Sequence, residues 1–401
     1  MSLQRAVIVG AGHAGAQLAA SLRQEKWTGE IVLVGDEATL PYQRPPLSKA
    51  YLAGKSTLEA LAIRNAEFYA KQHIQLLDAA VEAIDRSARH LALSNGESLP
   101  YHKLALCTGA RPRRLPVPGV DLPGVYYLRT AADVELIRAA ATPGRRAVIV
   151  GGGYIGLETA ASLRALGLEV TVLEATGRVL ERVTAPEVSA FFDRVHRSEG
   201  VDIRTGALVD ALTGDGQVAE VLLNDGEVVS ADLVIIGIGV EPNTELAAAA
   251  GLAVDDGIVI DNQALTSDPD IVAAGDCAIH HLTRYGRRIR LESVPSAGEQ
   301  AKVAASTISN GSKEISALPW FWSDQYNLKL KIAGLNDGHD EVVLSGDPTR
   351  DRDFTCFYLR QGQLIAADCV NRPRDFMFSK QLLATQTPVG RAELARATAT
   401  V

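Results

Sequence analysis

The sequence predicts an α/β fold, with two parallel-sheet domains and a smaller C-terminal α+β domain. A unit of nineteen residues occurs twice, at residues 5–23 and 146–164, with thirteen identities. Each copy is a strand-type apolar run, then G-x-G-x-x-G, then an Ala/Leu-rich helical run. From about residue 314 the pattern changes to alternating strands. Two glycine motifs, each between a strand and a helix, predict two Rossmann-like units that bind two dinucleotides.

Strands and helices alternate along the first three hundred residues, which predicts parallel sheets built from βαβ units. Helical patterns cover 131–140 and 186–200. The strand-type runs are AVIVG (6–10), EIVLVGD (30–36), AAVEAID (79–85), YHKLALCTG (101–109), RAVIVGG (146–152), EVTVLEA (169–175), ADLVIIGIG (231–239) and DIVAAGD (270–276).

The C-terminal segment reads as antiparallel strands followed by a helix. The runs are KLKIAG (329–334), EVVLSGD (341–347), DFTCFYLR (353–360), QLIAADCV (363–370) and the helical FMFSKQLLATQ (376–386). RPRRLPVPG (111–119) is typical of an interdomain linker, and a second linker is expected just after 239. We therefore predict one domain from 1–110 and 237–313, a second inserted at 111–236, and a third at 314–401.

Composition narrows the class of protein. Apolar residues make up 47% of the 401 residues and charged residues 22%, as in ordinary globular proteins. A net charge of -8 argues against general nucleic-acid or anionic-membrane binding. No apolar run reaches the roughly 18 residues of a membrane helix. The glycine spacing makes the apolar N-terminus a first strand rather than a signal peptide.

Cysteine usage predicts a reducing compartment. The four cysteines are scattered, with neither C-x-x-C nor zinc-ligand spacing: Cys107, Cys277, Cys356 and Cys369. We expect a cytoplasmic monomer with no metal site and no structural disulfide. Dithiol redox chemistry is disfavoured because no two cysteines lie close together in the sequence.

Each glycine motif has three roles to fill. The first glycine allows the tight turn, the second lets the backbone approach a pyrophosphate, and the third lets helix and strand pack closely. The helix N-terminus offers free N–H groups to the phosphates. The glycines are Gly10, Gly12 and Gly15 in the first copy and Gly151, Gly153 and Gly156 in the second.

An acid about 20 residues further on is expected to hold the adenosine ribose. Glu174 fills this role in the second copy. Its counterpart in the first copy is Gly35, so the acid there comes one residue later, at Asp36, with Glu37 the weaker candidate. Glu174 also favours NAD over NADP, because a 2′-phosphate about 4 Å away would cost on the order of 4 kcal/mol. Arg178 would weaken this repulsion. The alternative interpretation is that Glu174 only ends the strand in solvent and binds no ribose.

Further motifs resemble a known class of enzymes. TGA (108–110) and TSDPDIVAAGD (266–276), together with the first glycine motif, resemble the FAD-binding pattern of two-dinucleotide flavoprotein reductases. In that pattern the Asp of the final Gly-Asp, here Gly275-Asp276, binds the ribityl chain. The resemblance implies that the first copy binds FAD and that the second binds NADH.

The resemblance becomes more specific with five longer segments: LPYQRPPLSKAYLAG (40–54), GGGYIGLE (151–158), LERVTAPEVSAFF (180–192), LESVPSAGEQAK (291–302) and PWFWSDQYNLKLKIAGL (319–335). Over nearly the whole chain they resemble bacterial ferredoxin reductases of the putidaredoxin reductase type. This implies FAD and NAD(H) as cofactors, and electrons passed singly to a 2Fe-2S ferredoxin serving a heme-thiolate (cytochrome P-450) monooxygenase.

The same resemblance implies the site residues. It implies that Lys49 lies against the flavin, paired with Glu158, and that Tyr154 covers the nicotinamide pocket. The alternatives are that Lys49 is a surface lysine, that Glu158 only complements the dipole at a helix N-terminus, and that Tyr154 is a packing aromatic. The expected FAD contacts are Gly10, Gly12, Ala14, Gly15, Asp36, Arg44, Lys49, Val81, Arg129, Gly275, Asp276, Val294 and Trp322. The expected NAD contacts are Gly151, Gly153, Tyr154, Ile155, Gly156, Glu158 and Glu174.

Electron exit and docking are the last predictions. Trp322, with Trp320, is expected beside the flavin edge from which electrons leave. The alternative is that both pack in the core of the C-terminal domain. Cations would steer an acidic ferredoxin; the candidates are Arg64, Lys302, Arg284, Arg287, Arg288 and Arg290.

Two other functions stay open. One is the reductase component of a ring-hydroxylating dioxygenase or a rubredoxin reductase. The other is a non-enzymatic, NADH-sensing flavoprotein similar to apoptosis-inducing factor.

Overall fold

A computed structural model describes residues 4–396 of the chain. The strands in chain order are β1 (Arg5–Val9), β2 (Glu30–Gly35), β3 (Ile74–Asp78), β4 (Val81–Asp85), β5 (His90–Leu93), β6 (Ser98–Pro100), β7 (Lys103–Leu106), β8 (Ala110–Pro112), β9 (Val125–Tyr127), β10 (Arg146–Val150), β11 (Glu169–Glu174), β12 (Val201–Thr205), β13 (Val209–Thr213), β14 (Glu220–Leu223), β15 (Val228–Ser230), β16 (Leu233–Ile236), β17 (Val240–Pro242), β18 (Val254–Asp255), β19 (Gly257–Ile260), β20 (Ile271–Ala273), β21 (Ala278–Leu282), β22 (Arg287–Ile289), β23 (Trp320–Gln325), β24 (Leu328–Gly334), β25 (Glu341–Ser345), β26 (Phe354–Arg360) and β27 (Gln363–Val370).

The helices follow the same chain order. They are α1 (His13–Gln24), α2 (Ala66–Lys71), α3 (Ala131–Ala140), α4 (Tyr154–Ala165), α5 (Pro186–Ser198), α6 (Glu245–Ala249), α7 (Val294–Ile308), α8 (Pro373–Thr385) and α9 (Arg391–Arg396), with 3₁₀ turns at Pro45–Ser48, Glu59–Leu61 and Thr283–Tyr285. None of the helices within residues 4–396 combines the length and the apolar character needed to cross a membrane.

The chain divides into two compact units. The first comprises residues up to 44, 58–111 and 241–317, and the second comprises 45–57, 112–240 and 318 onward. The chain passes between them five times, at 44/45, 57/58, 111/112, 240/241 and 317/318. The division into three domains stays a prediction.

The first unit is built around a parallel sheet with the order β3-β2-β1-β7-β20. β1 lies centrally, with Val9 paired to Val34 on one side and to Leu106 on the other. Helices α1 and α7 pack on each other beside this sheet. Its core is a near-continuous set of Ala, Val, Ile and Leu side chains. Such apolar strands are expected of a parallel sheet covered on both faces.

The second unit repeats this arrangement. Its parallel sheet has the order β12-β11-β10-β16-β9, and Val150 on the central β10 pairs with Leu173 and Ile236. The two repeated segments therefore occupy the same central place in two equivalent sheets. Helix α3, predicted at 131–140, begins with a capping box in which Thr130 and Asp133 bond reciprocally.

An antiparallel sheet completes the second unit. Its strands follow the order β23-β24-β27-β26-β25, and α8 packs on β24 and β27. The sheet is apolar on the face that α8 covers, where Phe357 and Phe376 are buried. Two parallel sheets of Rossmann order and an antiparallel C-terminal sheet confirm the predicted fold class.

Candidate active site

The first glycine loop joins β1 to α1 and leaves room for a ligand. Gly10 has φ +106° and lies so close to β7 that a Cβ would sit 2.1 Å from the Cys107 carbonyl oxygen. Only glycine tolerates both conditions. By contrast, a Cβ on Gly12 would meet nothing within 4 Å. Gly12 is the N-cap of α1, and no side chain caps the N–H groups of the first turn.

The second glycine loop has the same geometry between β10 and α4. Gly151 has φ +113°, and a Cβ there would lie 2.4 Å from the Gly237 carbonyl oxygen. Gly153 is the N-cap of α4 and has no side-chain cap, and a Cβ added to it would again meet nothing within 4 Å. Both loops thus fit the phosphates of a dinucleotide, because uncapped N–H groups at a helix N-terminus bind anions.

The two loops differ in one exchange of small and large residues. In the first copy Ala11 fills the space beside the end of β2, and a Cβ on Gly35 would lie 2.5 Å from that of Ala11. In the second copy the loop residue is Gly152, and the end of β11 carries Glu174. Glu174 Oε2 accepts the Gly152 N–H at 2.7 Å, and Oε1 accepts the Thr176 N–H at 2.8 Å.

The acids after β2 lie in different surroundings. Asp36 is exposed. Glu37 is half-buried, and its carboxylate accepts hydrogen bonds from the Tyr42 hydroxyl and the Arg44 guanidinium. Arg44 therefore has an internal partner. The geometry gives Glu37, which the sequence ranked second, the more constrained position of the two acids.

A second part of the first unit surrounds Gly275, two residues after the end of β20. Gly275 has φ +92°, and a Cβ there would approach the Ala14 Cβ to 3.0 Å. Its N–H donates to the side-chain oxygen of Gln300 on α7 at 2.7 Å. Asp276 is half-buried beside it. Sequence reasoning missed Gln300, although it lies in the LESVPSAGEQAK segment, because no motif marks a glutamine that fixes a loop.

Helix α7 begins at Val294. Ser293 caps it, its hydroxyl accepting the Ser296 N–H at 3.3 Å. Val81 begins β4 and is half-buried, as is Arg129, whose backbone N–H donates to Asp133. The cofactor contacts of Val294, Val81 and Arg129 stay predictions.

In the second unit Lys49 and Glu158 are brought together across 109 residues of sequence. Lys49 Nζ lies 2.5 Å from Glu158 Oε2 and 3.1 Å from the Pro45 carbonyl oxygen. The Ser48 hydroxyl donates to the same carboxylate oxygen at 2.6 Å. The Glu158 side chain is 1% exposed and that of Lys49 is 19% exposed. A carboxylate this buried requires such partners, because burying an unpaired charge is costly.

The remaining carboxylate oxygen of Glu158 has its own donor. Ser323 on β23 donates to Glu158 Oε1 at 2.6 Å, and Ser323 is itself contacted by Gln325. The 3₁₀ turn just before Lys49 is fixed to α4 from the other side, where the Ser162 hydroxyl donates to the Ser48 carbonyl oxygen at 2.7 Å. The pair is therefore rigidly supported. Sequence reasoning did not find Ser323 or Gln325.

Tyr154 opens α4 and packs on β23. Its ring lies 5.0 Å from that of Phe321, centroid to centroid. The hydroxyl is enclosed and has no hydrogen-bond partner among residues 4–396. Burial raises the pKa of Tyr154 well above its ordinary value, and the charges of Asp368 and Glu158 add to this. The next residue, Ile155, is exposed.

The aromatic residues of β23 form a contiguous group. Trp320 and Trp322 have ring centroids 5.6 Å apart, and both are half-buried. Lys380 of α8 lies over the Trp320 ring at 5.1 Å, a cation–π distance. Trp320 also contacts Phe376, so it belongs at least partly to the C-terminal core.

The six candidate docking cations differ in how far they are engaged. Arg290 is mostly buried and pairs with Asp256 and Glu292. Arg64 donates to its neighbour's carbonyl oxygen. Lys302 on α7 is exposed. Arg284, Arg287 and Arg288 are exposed too, and Arg288 lies 3.8 Å from Asp255.

The four cysteines are buried free thiols. Burial raises the pKa of Cys107 and of Cys277, the two in the first unit. A thiol whose pKa is raised is a poor nucleophile at neutral pH, because the thiolate is the reactive form. The environment of these thiols therefore disfavours redox chemistry.

Comparison with known proteins fits this geometry. A model of the pyridine nucleotide-disulphide oxidoreductase family matches residues 4–301, and a reductase C-terminal model matches 320–400. The chain belongs to the pyridine nucleotide-disulphide oxidoreductase family. The family implies an oxidoreductase with FAD and NAD(H) as cofactors.

Individual relatives are similar over nearly their whole length. Putidaredoxin reductase CamA of Pseudomonas putida is 49% identical over 390 residues, covering 96% of this chain and 92% of that one. The ferredoxin reductase for the CYP199A2 system of Rhodopseudomonas palustris is 44% identical, with a TM-score of 0.95 and coverage of 98% and 97%. The reductase in a covalent putidaredoxin reductase–putidaredoxin complex is 46% identical, with a TM-score of 0.94 and coverage of 99% of both chains. The resemblance predicted from the sequence is confirmed.

Proposed function

We propose that the protein is an NADH-dependent FAD flavoprotein that reduces a 2Fe-2S ferredoxin. The observation that carries the proposal is the pair of uncapped glycine loops, which differ at the strand end, together with the Lys49–Glu158 pair. The balanced reaction is NADH plus two oxidised ferredoxins giving NAD⁺, two reduced ferredoxins and one proton. Reductases that are similar to this chain over nearly their whole length support the ferredoxin as acceptor.

The first loop would hold FAD and the second NADH. Bound FAD would accept a hydride from NADH and give up electrons one at a time, which is the cofactor's own chemistry. The chain supplies binding and position: the N–H groups of α1 and α4 for the phosphates, and Asp276 for the ribityl chain. Glu174, already fixed by two backbone N–H donors, would accept the ribose hydroxyls of NADH.

Lys49 would supply positive charge beside the flavin. Glu158 keeps the ammonium group in one place and is itself fixed by two serine hydroxyls. A fixed cation favours the negative charge that reduction brings, because it needs no reorganisation when the charge appears. Tyr154 would cover the nicotinamide position until NADH enters.

The ferredoxin would dock on cations of the first unit. Exposed Lys302 and half-buried Arg64 are better candidates than Arg290, because Arg290 already pairs with Asp256 and Glu292. Replacing Lys302 by Glu is expected to raise the KM for ferredoxin severalfold and to weaken its dependence on salt. Lys26→Glu, another exposed lysine of the same unit, is the matched control. Equal effects of the two variants would argue against this surface.

Service to a heme-thiolate monooxygenase is the finer part of the proposal, supported by the named systems of two relatives. Measured turnover with a cytochrome P-450 ferredoxin, a dioxygenase ferredoxin and a rubredoxin would rank the alternatives. The monomeric state and the cytoplasmic location stay predictions, the first testable by analytical ultracentrifugation.

Anaerobic mixing tests the core of the proposal. NADH is expected to bleach the bound yellow flavin, and two equivalents of oxidised ferredoxin are expected to restore the colour. No bleaching would contradict the proposal. Slow bleaching, coupled to dimerisation and not reversed by any ferredoxin, would favour an NADH-sensing protein instead.

A further inference from the structure

A chain of buried hydrogen bonds continues from Glu158 into the interior of the second unit. The Ser323 hydroxyl contacts Glu158 Oε1 at 2.6 Å, Gln325 Nε2 contacts Ser323 Oγ at 3.1 Å, and His196 Nε2 contacts Gln325 Oε1 at 2.8 Å. The Tyr326 hydroxyl contacts the other ring nitrogen, Nδ1, at 3.2 Å. The four residues from Glu158 to His196 are each at most 2% exposed.

The carboxylate end fixes the direction of every bond in the chain. A carboxylate can only accept, so Ser323 must donate its one proton to Glu158. Ser323 Oγ can then only accept from Gln325, which turns the Gln325 amide nitrogen toward Ser323 and its oxygen toward His196. His196 must therefore donate from Nε2.

The tautomer of His196 follows. With the proton on Nε2, the neutral ring accepts at Nδ1, where the Tyr326 hydroxyl donates. Burial lowers the pKa of His196, which agrees with a neutral ring. All donors in the chain therefore point one way, from Tyr326 through His196, Gln325 and Ser323 to Glu158. Aligned hydrogen bonds in a low-dielectric interior strengthen one another.

Proton conduction along this chain is disfavoured. Passing a proton through Gln325 would require its amide to be protonated or converted to the imidic acid form. The chain instead suits a fixed purpose: it holds Glu158 Oε1, while Lys49 and Ser48 hold Oε2. The residues of the chain come from three elements that are distant in sequence. Glu158 lies on α4, His196 on α5, and Ser323 and Gln325 on β23.

We propose that Ser323, Gln325 and His196 are positioning residues for the Lys49–Glu158 pair, acting as a one-directional donor chain that fixes the orientation of the Glu158 carboxylate. The proposal rests on the proposed function, in which this pair sets the charge beside the flavin. The three residues act only through Glu158, by holding its carboxylate, and none of them needs to touch the cofactor.

Three variants test the chain in the FAD-loaded protein. Ser323→Ala removes the donor to Glu158, and Gln325→Met breaks the middle link with little change of volume. His196→Gln keeps a donor near the position of Nε2 and is the conservative control. Stopped-flow reduction by NADH gives the limiting rate and the NADH dissociation constant, and dye titration gives the flavin midpoint potential.

Ser323→Ala and Gln325→Met are expected to slow the limiting reduction rate at least fivefold and to lower the midpoint potential, because Glu158 loses compensating dipoles. Their NADH dissociation constants should change less than twofold, and His196→Gln should stay within twofold of the unaltered protein in rate. Unchanged rate and potential in the first two variants would overturn the proposal. So would equal damage in His196→Gln.

A measurement on the unaltered protein needs no turnover. Nitrogen-15 NMR of ring-labelled histidine at pH 7, with the His196 signals assigned by their loss in His196→Gln, should show the neutral Nε2–H tautomer. The Nδ1–H tautomer or a charged ring would overturn the proposal. If NADH fails to reduce the unaltered flavoprotein, the proposed function fails, while this NMR result still tests the chain itself.

Discussion

The two glycine loops are built from one repeated sequence, yet they present different groups to a ligand. In the first, Ala11 occupies the space beside the strand end, and position 35 must stay glycine. In the second, the equivalent residue is Gly152, which has no side chain, and the Glu174 carboxylate occupies the space instead. The same backbone thus presents a methyl group in the first loop and a carboxylate in the second, in the equivalent space beside the strand end.

A second difference lies one helical turn further on. Position 17 of the first copy is glutamine, which donates within its own helix to Ser21 at 2.9 Å. The equivalent position of the second copy is Glu158, which is tied to Lys49, Ser48 and Ser323. The first copy therefore has a neutral side chain bonded within its own helix at this position. The second has a carboxylate in a buried ion pair, which the proposed function places beside the flavin.

Coenzyme choice should show the largest effect of this comparison. Glu174→Gln removes the charge that opposes a 2′-phosphate, and we expect the preference for NADH over NADPH to fall on the order of a hundredfold. The ratio of kcat/KM for the two coenzymes measures it. Glu37→Gln, in the first copy, is the control and should leave the ratio unchanged. A fall in both variants would show that the ratio does not report on the second loop.

The next largest effect is expected when Glu158 of the second copy is replaced by glutamine, the residue at the equivalent position 17 of the first copy. Glu158→Gln leaves Lys49 without its charge partner, and we expect flavin reduction at saturating NADH to slow about tenfold. Stopped-flow absorbance measures the rate. Gln17→Ala is the matched variant of the first copy and should change it less than twofold. An unchanged rate in Glu158→Gln would show that the Lys49–Glu158 pair does not contribute to flavin reduction.

The loop exchange itself predicts a smaller change. A Cβ on Gly152 would lie 3.0 Å from Glu174 Oε2 and 3.0 Å from Val179 Cγ1. Gly152→Ala should therefore displace the carboxylate and raise the KM for NADH about threefold, without loss of FAD. Steady-state kinetics and flavin absorbance check both. Ala11→Gly should cost roughly 0.5–1 kcal/mol of stability and leave KM alone.

The smallest effects concern one buried histidine in each unit. Burial lowers the pKa of His196 and of His280, so both rings stay neutral in the folded state below the unfolded value of about 6.5. Stability is then complete above about pH 6.5 and is lost as the pH falls toward the lower folded pKa, by at most about 1.4 kcal/mol per pH unit for each ring.

These histidines differ in their partners. Both nitrogens of His196 are bonded, whereas those of His280 have no hydrogen-bond partner within residues 4–396. His280→Leu should therefore stabilise the protein at pH 5.5, by about 1 kcal/mol, and His196→Leu should destabilise it at pH 7.5. Calorimetric melting temperatures at the two pH values check this. Destabilisation by His280→Leu at pH 5.5 would contradict it.

Much of this architecture follows from the sequence because it is local. Gly10 and Gly151 need positive φ, and the strand and helix beside each are short-range patterns, so the repeat predicted two equivalent sheets. The C-terminal strands alternate visibly and formed the expected antiparallel sheet.

The unpredicted part depends on residues that only the fold brings together. Ser323 and His196 lie 165 and 38 positions from Glu158. Ser323 falls in the quoted segment 319–335, but no spacing relates either residue to Glu158. Gln300 lies inside a segment quoted for its resemblance, yet its bond to Gly275 depends on how α7 packs beside β20. The exchange of Ala11 and Gly152 shows in the sequence, but its meaning depends on the distance to the strand end.

The central claim, that the first loop binds FAD and the second NADH, is tested most directly by Gly12→Val and Gly153→Val. Both positions have extended backbone and open space, so the fold should tolerate a side chain that fills the phosphate site. Flavin content and NADH affinity are measured in each. We predict that Gly12→Val purifies without FAD, and that Gly153→Val stays yellow and binds NADH at least a hundredfold more weakly. Loss of FAD from Gly153→Val, with FAD retained in Gly12→Val, would contradict the account.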